Sequence, residues 1–416
     1  MSASKMSSRE TPGQRVYPAR ITITQISATR FRLPFRSPFR TSRGTIIKRD
    51  GMILRLVTDA GVIGVGEASP HPALGSMALS NVENALERVA PRVVGTTLSA
   101  GARTAAQCTA ECIMASEPYD DVTVDAWMDG LRMEIPPALA CALDTAASDA
   151  LARTQGLSLA LLFGERIRTS VPVNATIAAE MPAEVASQAA RARTNGFRCV
   201  KLKVGTARTV EEEKERVGAA RHALGHDVHL RIDANGAWSE AQALSVIHSL
   251  EAYDLEFIEQ PIGPGNLEGM RRLQQTSRIP IAADEDVTSL EAAREVLDLG
   301  AARVLIVKPM VVGGLGTARR IAELAQRRGA SVVVTTTIDS GIGTAAALQV
   351  SATLPDSGLA FGLATGELLA GDLIESPLAM SDGEMELPAG PGLGVTLNEA
   401  ELEQFSAGRD RSWEMP

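Results

Sequence analysis

Three acidic residues, Asp233, Glu259 and Asp284, each end a short apolar run, at intervals of 26 and 25 residues. Lysines bracket them: Lys201 and Lys203 precede the set in KLKVG, and Lys308 follows it in VLIVKP. Carboxylate oxygens are the ligands that Mg²⁺ selects, with Mn²⁺ as the alternative, and a lysine beside a divalent cation can shed its proton and act as a base. If a substrate carboxylate binds such a cation, the neighbouring carbon becomes more acidic, because the metal stabilises the enediolate that forms. One lysine can then take the proton, while the other stabilises the anion or returns a proton to the opposite face.

The 25-residue interval is the beat of a repeated strand-helix unit. From Val171 onward eight β-branched runs follow one another: VPVNATI, CVKLKVG, VHLRIDANG, EFIEQPI, IPIAADE, RVLIVKP, SVVVTTT and LAFGLAT. Between them, segments such as TVEEEKERVGAARHAL carry charged and apolar faces at a 3.6 period and read as crossover helices. This pattern predicts an α/β chain built on a (β/α)₈ barrel, a modified TIM barrel. Active sites in such barrels lie at the C-terminal strand ends, where every residue named above falls. Strand alternation puts Lys201 and Lys203 on one face, and Asp233 and Asn235 on one face. Any single charge there serves equally as a structural ion pair. Five in phase across five strands point to a bound ligand or metal, because burying them without one is costly.

Ahead of the barrel, ITITQISATRFRLPF alternates, and GMILRLVTDAGVIGVGEASP reads as two strands joined by an Asp59-Ala60-Gly61 turn. The polar, basic stretch FRSPFRTSRGTIIKRD between them reads as a loop. Helical spacing fills residues 78 to 165, so this part is an α+β capping domain. The expected organisation is a disordered tail over 1–18, a cap over 19–165, a barrel over 166–372, and a C-terminal segment over 373–416 that packs back on the cap.

The formal charge of −9 over 416 residues, with basic and acidic residues interspersed, argues against nucleic acid or an anionic membrane surface as partner. A small-molecule carboxylate is the natural substrate, and composition leaves a homo-oligomer open. Cys108, Cys112, Cys141 and Cys199 form no CxxC pair and have no histidines at zinc spacing, so they read as reduced thiols. No apolar stretch reaches the ~20 residues of a membrane span, and the first residues lack the apolar core of a signal peptide. The expected compartment is the cytoplasm.

KLKVG, RIDANGAW, FIEQPI, AADE and VKP, in that order, resemble the enolase superfamily, and the lysines on the second and sixth runs are similar to those of its muconate lactonizing enzyme subgroup. The resemblance extends from about Ile21 to Asn398. It implies that Asp233, Glu259 and Asp284 ligate Mg²⁺, that Lys203 is the principal acid and base, that Lys308 is its counterpart, and that Lys201 supports the pair electrostatically. The Thr335–Asp339 and Gly362–Gly366 segments resemble most the o-succinylbenzoate synthases of menaquinone biosynthesis, which are lyases. N-acylamino acid racemases, dipeptide epimerases and muconate-type cycloisomerases are the alternatives within the superfamily. The eighth run lacks the Asp-x-Asp by which many dipeptide epimerases hold an ammonium group.

Two features bear on substrate choice. A helix opens at Ser340-Gly341, whose free amides are candidates to hold a second carboxylate, or Asp339 or Ser340 is simply its N-cap. The Phe35–Gly44 stretch carries Arg36, Arg40 and Arg43 with two phenylalanines, a composition that suits a lid over a dianionic ring substrate, with Arg40 the candidate contact, and suits a solvated basic loop equally. Asn235 and Glu285 complete the candidate substrate set. A Schiff-base aldolase is the competing enzyme class, but it has no need of three assembled carboxylates. A noncatalytic barrel would have no reason to keep all five strand-end groups.

Overall fold

Two long strands, β1 (Arg20–Thr41) and β2 (Gly44–Thr58), pair antiparallel and are followed by β3 (Ile63–Ala68). The computed structural model describes residues 20–41, 44–72, 77–99, 122–164 and 167–415. The tail expected over 1–18, Cys108, Cys112, Arg43 and the side chain of Arg40 lie outside the described residues.

The phase of burial along β1 changes twice, and each change has a consequence. Ile21 and Ile23 face the cap core, and a register shift between Ile23 and Gln25 moves the inward positions to Ile26 and Ala28. Farther on, Phe31, Leu33, Phe35 and Phe39 face the barrel core instead. Residues 35–41 and 44–50 of the stretch read as a loop from sequence are thus strand: after an irregularity between Pro34 and Phe39, the register resumes with Phe39 opposite Ile46 and Arg40 opposite Thr45. Phe35 and Phe39 are both buried, with ring centroids 6.1 Å apart, and it is this burial that holds so polar a sequence in place. Pro38 costs no ladder hydrogen bond at such a bulge.

The cap sheet is completed by β4 (Thr97–Ser99) and β5 (Val122–Thr123) in the order β3-β2-β1-β4-β5. The helix Pro137–Gln155 packs on β3 and is buried on nearly every face, from Ala138 to Ala152. Its small residues allow this, and so does Gly66, where a Cβ would stand 2.0 Å from the Ala142 carbonyl oxygen. Two acids on this helix tie it across the molecule: Asp149 accepts from the amides of Val65 and Leu393, and Asp144 from that of Gly316.

After β6 (Ser170–Pro172) come seven parallel strands: β7 (Ala175–Ile177), β8 (Cys199–Lys203), β9 (His229–Asp233), β10 (Leu255–Glu259), β11 (Ile281–Ala283), β12 (Val304–Val307) and β13 (Ser331–Val334). They neighbour one another in sequence order, with helical crossovers such as Val210–Leu224, N-capped by Thr209, and Glu240–Leu250, opened by a Ser239/Gln242 capping box. The eighth run closes the barrel with only two residues. Phe361 bridges to Val173 and Gly362 to Thr335, and the Gly362 amide donates to the Val334 carbonyl at 2.9 Å. Closure this tight needs glycine, because a Cβ at 362 would fall 2.3 Å from Thr335 Oγ1.

The chain then forms β14 (Met380–Ser381) and β15 (Glu384–Glu386), which pairs with β6, and β16 (Arg411–Glu414), which pairs antiparallel with β1. The fold is a (β/α)₈ barrel with an N-terminal α+β cap. No helix among the described residues is long and apolar enough to cross a membrane.

Candidate active site

The strand ends of the barrel deliver the acids and lysines to one place. Asp233 and Glu259 are the last residues of β9 and β10, Asp284 follows β11, and Lys308 follows β12. Lys201 and Lys203 project from the same face of β8. The register sets Lys203 beside Asp233 and Asp233 beside Glu259 across neighbouring strands. Asn235 and Gln260, just past the strand ends, hold left-handed backbone angles of 47° and 37°, a strain that clusters where a site over-determines its backbone.

One oxygen from each of Asp233, Glu259 and Asp284 lies within 4.8 Å of the others, and the three residues are 0%, 1% and 5% exposed. Lys201 Nζ sits 2.6 Å from Glu259 Oε1 and 2.8 Å from Asp233 Oδ2. Lys203 donates to Asp233 Oδ2 and, at 2.9 Å, to Asn235 Oδ1. Lys308 donates to Asp284 Oδ1, and Asn235 Nδ2 reaches Glu285 Oε1 at 3.2 Å.

These contacts polarise the groups in definite directions. Burial opposes the Asp233 charge, but Lys201 and Lys203 outweigh it and hold its pKa far below the usual carboxylate range. Burial likewise works against Lys201, yet Asp233, Glu259 and Asp284 raise its pKa. For Lys308 the same contest is won by Asp284, Glu285 and Glu259, again upward. Glu259 moves the other way from Asp233: burial, then the charges of Asp233 and Asp284, push its carboxyl up to about 8. Three buried carboxylates crowd one another enough to favour the protonated form of Glu259, and a hard divalent cation would supply the charge that a proton would supply. The oxygen-only donor set therefore fits Mg²⁺ or Mn²⁺. Drawing the carboxylates onto a cation would also release Lys201 and Lys308 from the groups that keep them protonated.

The pocket above these residues is lined by Asn174 and Thr176 from the first barrel strand, by Arg231, by Thr335 to Ile338, and by Phe39 and Ile46 from the cap hairpin. Several of these were not singled out from sequence. Arg231 stands two residues before Asp233 and so shares its face, a signal that strand alternation carries. It is 1% exposed, ion-paired with Glu256, and lies 4.4 Å above the Phe257 ring. Asn174 and Thr176 interrupt a β-branched run with polar side chains, a weaker signal. Nothing local marks Ile46.

The helix start at Ser340-Gly341 is not a free anion site, which corrects the sequence expectation. Ser340 N–H donates to Glu67 Oε1 at 3.1 Å, Gly343 N–H to Glu67 Oε2 at 2.9 Å, and Gly341 N–H to Asp372 Oδ1 at 2.6 Å. The amides are met by carboxylates of the protein itself, Ser340 acts as the N-cap of Gly341–Ser351, and neither Ser340 nor Gly341 lines the pocket. Glu67, 2% exposed at the end of β3, and Asp372 were both missed from sequence.

The family model described as the mandelate racemase / muconate lactonizing enzyme N-terminal domain matches residues 23–164, and the one described as enolase C-terminal domain-like matches 184–401. Chloromuconate cycloisomerase of Cupriavidus pinatubonensis is 30% identical over 394 residues, spanning 92% of this chain and 99% of that protein. L-Ala-D/L-Glu epimerase of Bacillus subtilis is 27% identical, spanning 92% of this chain and 100% of the epimerase. In three dimensions, muconate lactonizing enzyme from Pseudomonas fluorescens, crystallised with muconolactone, superposes with a TM-score of 0.83 at 28% identity, covering 93% of this chain and all of that one. A cap, a barrel and a strand-end carboxylate triad in this arrangement, matched over nearly the whole length, make the chain a member of the mandelate racemase / muconate lactonizing enzyme family, in the muconate lactonizing enzyme subgroup of the enolase superfamily.

Proposed function

We propose that this enzyme is an isomerase of the cycloisomerase type, closing or opening a lactone ring on a muconate-like dicarboxylate by proton transfer at the carbon beside a carboxylate. Asp233, Glu259 and Asp284 would hold Mg²⁺, which supplies positive charge to the substrate carboxylate as negative charge builds there. Lys203, anchored between Asp233 and Asn235, delivers or removes the proton at that carbon. Lys308, across the mouth on Asp284, offers its ammonium to the developing anion. Lys201 bridges Asp233 and Glu259 and keeps the two acids in register. Asn235 orients Lys203 and Glu285.

One observation carries the choice of substrate. Among the described residues, the acids that line the pocket are Glu259 and Asp284, both assigned to the cation, so none of these lining carboxylates is left to hold the free ammonium of a dipeptide. A substrate without an amine, such as a muconate or an N-acylated amino acid, suits these walls better. The 30% identity to a chloromuconate cycloisomerase supports the first of these.

Dehydration to an o-succinylbenzoate is the second reading, and it needs the same acids and lysines. The Thr336–Thr365 hydroxyl pair on one wall favours it, since the two share one hydrogen bond at 2.8 Å and so leave one hydroxyl proton for a remote carboxylate or carbonyl. A panel assay with Mg²⁺ separates the readings: cis,cis-muconate and muconolactone, N-succinyl amino acids, an Ala-Glu dipeptide, and the cyclohexadiene precursor of o-succinylbenzoate. Turnover of the muconate pair at the highest kcat/KM is expected. A higher kcat/KM on any of the other three would replace the cycloisomerase reading with the corresponding one.

A further inference from the structure

Ile338 lines the active-site pocket with a backbone φ of +64°. For a β-branched residue this is a true outlier, and it persists only where the surroundings impose it. The surroundings here come from the other domain. Arg49, on β2 and 3% exposed, donates Nε–H to the Ile338 carbonyl at 3.0 Å and Nη2–H to Thr337 Oγ1 at 3.3 Å. The same guanidinium donates to the carbonyls of Ser69 and Pro70, at 2.5 and 3.2 Å, and faces Asp339 at 3.7 Å. Ser69 N–H in turn meets the sulfur of Met310, two residues past Lys308, at 3.2 Å. Three residues upstream of Arg49 on the same strand, Ile46 lines the pocket directly.

We propose that Arg49 is a positioning residue, a clamp by which the cap strand forces the Thr337–Ile338 wall into a strained shape that fits the substrate. This rests on the strand-end site being the active site, but not on which carboxylate it takes. A planar fork with five donors can serve four acceptors in two segments at once; a lysine cannot, although it would still neutralise Asp339 and Glu67. Arg49→Lys therefore removes the clamp while keeping the charge. Glycine adopts φ +64° without strain, so Ile338→Gly should make the clamp unnecessary, whatever else that change does alone.

The test is a two-by-two comparison of Arg49→Lys in the wild-type and Ile338→Gly backgrounds. It is read by amide hydrogen exchange over residues 335–343 and by kcat and KM on whichever panel substrate the wild type turns over. With Ile338 present, Arg49→Lys should speed exchange about tenfold and raise KM about tenfold with kcat within about threefold, whereas in the Ile338→Gly background each effect should shrink to within about threefold. A double variant that folds where Arg49→Lys alone does not would count the same way. Equal losses in both backgrounds, unchanged exchange and KM, or a loss confined to kcat would each overturn the clamp. If the wild type turns over nothing in the panel, the functional reading falls and the exchange comparison still decides the clamp.

Discussion

Ser340, at the start of a barrel helix, gives its backbone N–H to Glu67 of the cap at 3.1 Å, and its hydroxyl points to the same carboxylate. A helix N-terminus attracts an anion, and here the fold provides one from 273 residues away. The contact therefore docks cap to barrel. Glu67→Gln leaves donors facing a neutral amide, and each lost charge-assisted hydrogen bond is worth about 1.5–3 kcal/mol. A loss of roughly 2–4 kcal/mol is expected in urea unfolding, with Mg²⁺ affinity little changed. Stability equal to wild type would show that the docking lies elsewhere.

The triad should bind one divalent cation, and each acid should be needed. Asp233→Asn and Glu259→Gln should lower Mg²⁺ affinity by at least about 100-fold by calorimetry while circular dichroism stays native. Because burial and the neighbouring carboxylates push the Glu259 carboxyl above its ordinary range, Mg²⁺ binding near neutral pH should release protons, seen as a heat that varies with the ionisation enthalpy of the buffer. Undiminished affinity in both variants would dismiss the triad as the metal site.

The two lysines should separate by which proton they handle. Lys203→Ala should abolish deuterium incorporation at the carbon beside the carboxylate and reduce turnover at least about 100-fold. Lys308→Ala should slow turnover comparably but leave slow exchange measurable by mass spectrometry, as expected when its ammonium stabilises the anion. Exchange that survives Lys203→Ala and vanishes with Lys308→Ala would reverse the assignment.

His71 should make the fold sensitive to mild acid. Burial, with help from the Arg49 charge, lowers its pKa to about 4, below the ordinary 6.5. The unfolded chain thus binds the proton more readily between pH 6.5 and 4, so stability is fully present above 6.5 and drains away as pH falls toward 4. The loss is at most about 3.4 kcal/mol at a 1.36 kcal/mol conversion per pH unit. His71→Gln should flatten the wild-type slope of urea midpoint against pH in that window. Parallel slopes for the two proteins would remove His71 from the account.

Barrel closure should depend on the smallness of residue 362. Gly362→Ala thrusts a methyl against Thr335 Oγ1 and should cost about 1–3 kcal/mol. Thr335→Ala in the same chain should recover part of that loss, because the nearest clashing atom is gone. A fully additive pair of losses in thermal melts would mean that the strain is not at this contact.

What could be read without coordinates was whatever depends on local periodicity. The acids and lysines lie at strand ends because a βα unit repeats every 25 residues or so, and a period of two sets which side chains share a face; both are properties of neighbouring residues. The same logic makes Lys201, Lys203, Asp233, Glu259, Asp284 and Lys308 visible as one constellation in KLKVG, RIDANG, FIEQP, AADE and VKP. Tertiary structure decided the partners. Whether the amides at Ser340-Gly341 meet substrate or protein turned on Glu67 and Asp372, carboxylates that nothing near residue 340 announces. Whether FRSPFRT is loop or strand turned on a barrel surface able to bury Phe35 and Phe39. The strained Ile338 carbonyl found its donor on a strand 289 residues earlier. Hydrogen-bonding groups are satisfied by whatever the fold brings within about 3 Å, and proximity of that kind arises between domains, where no short sequence pattern records it.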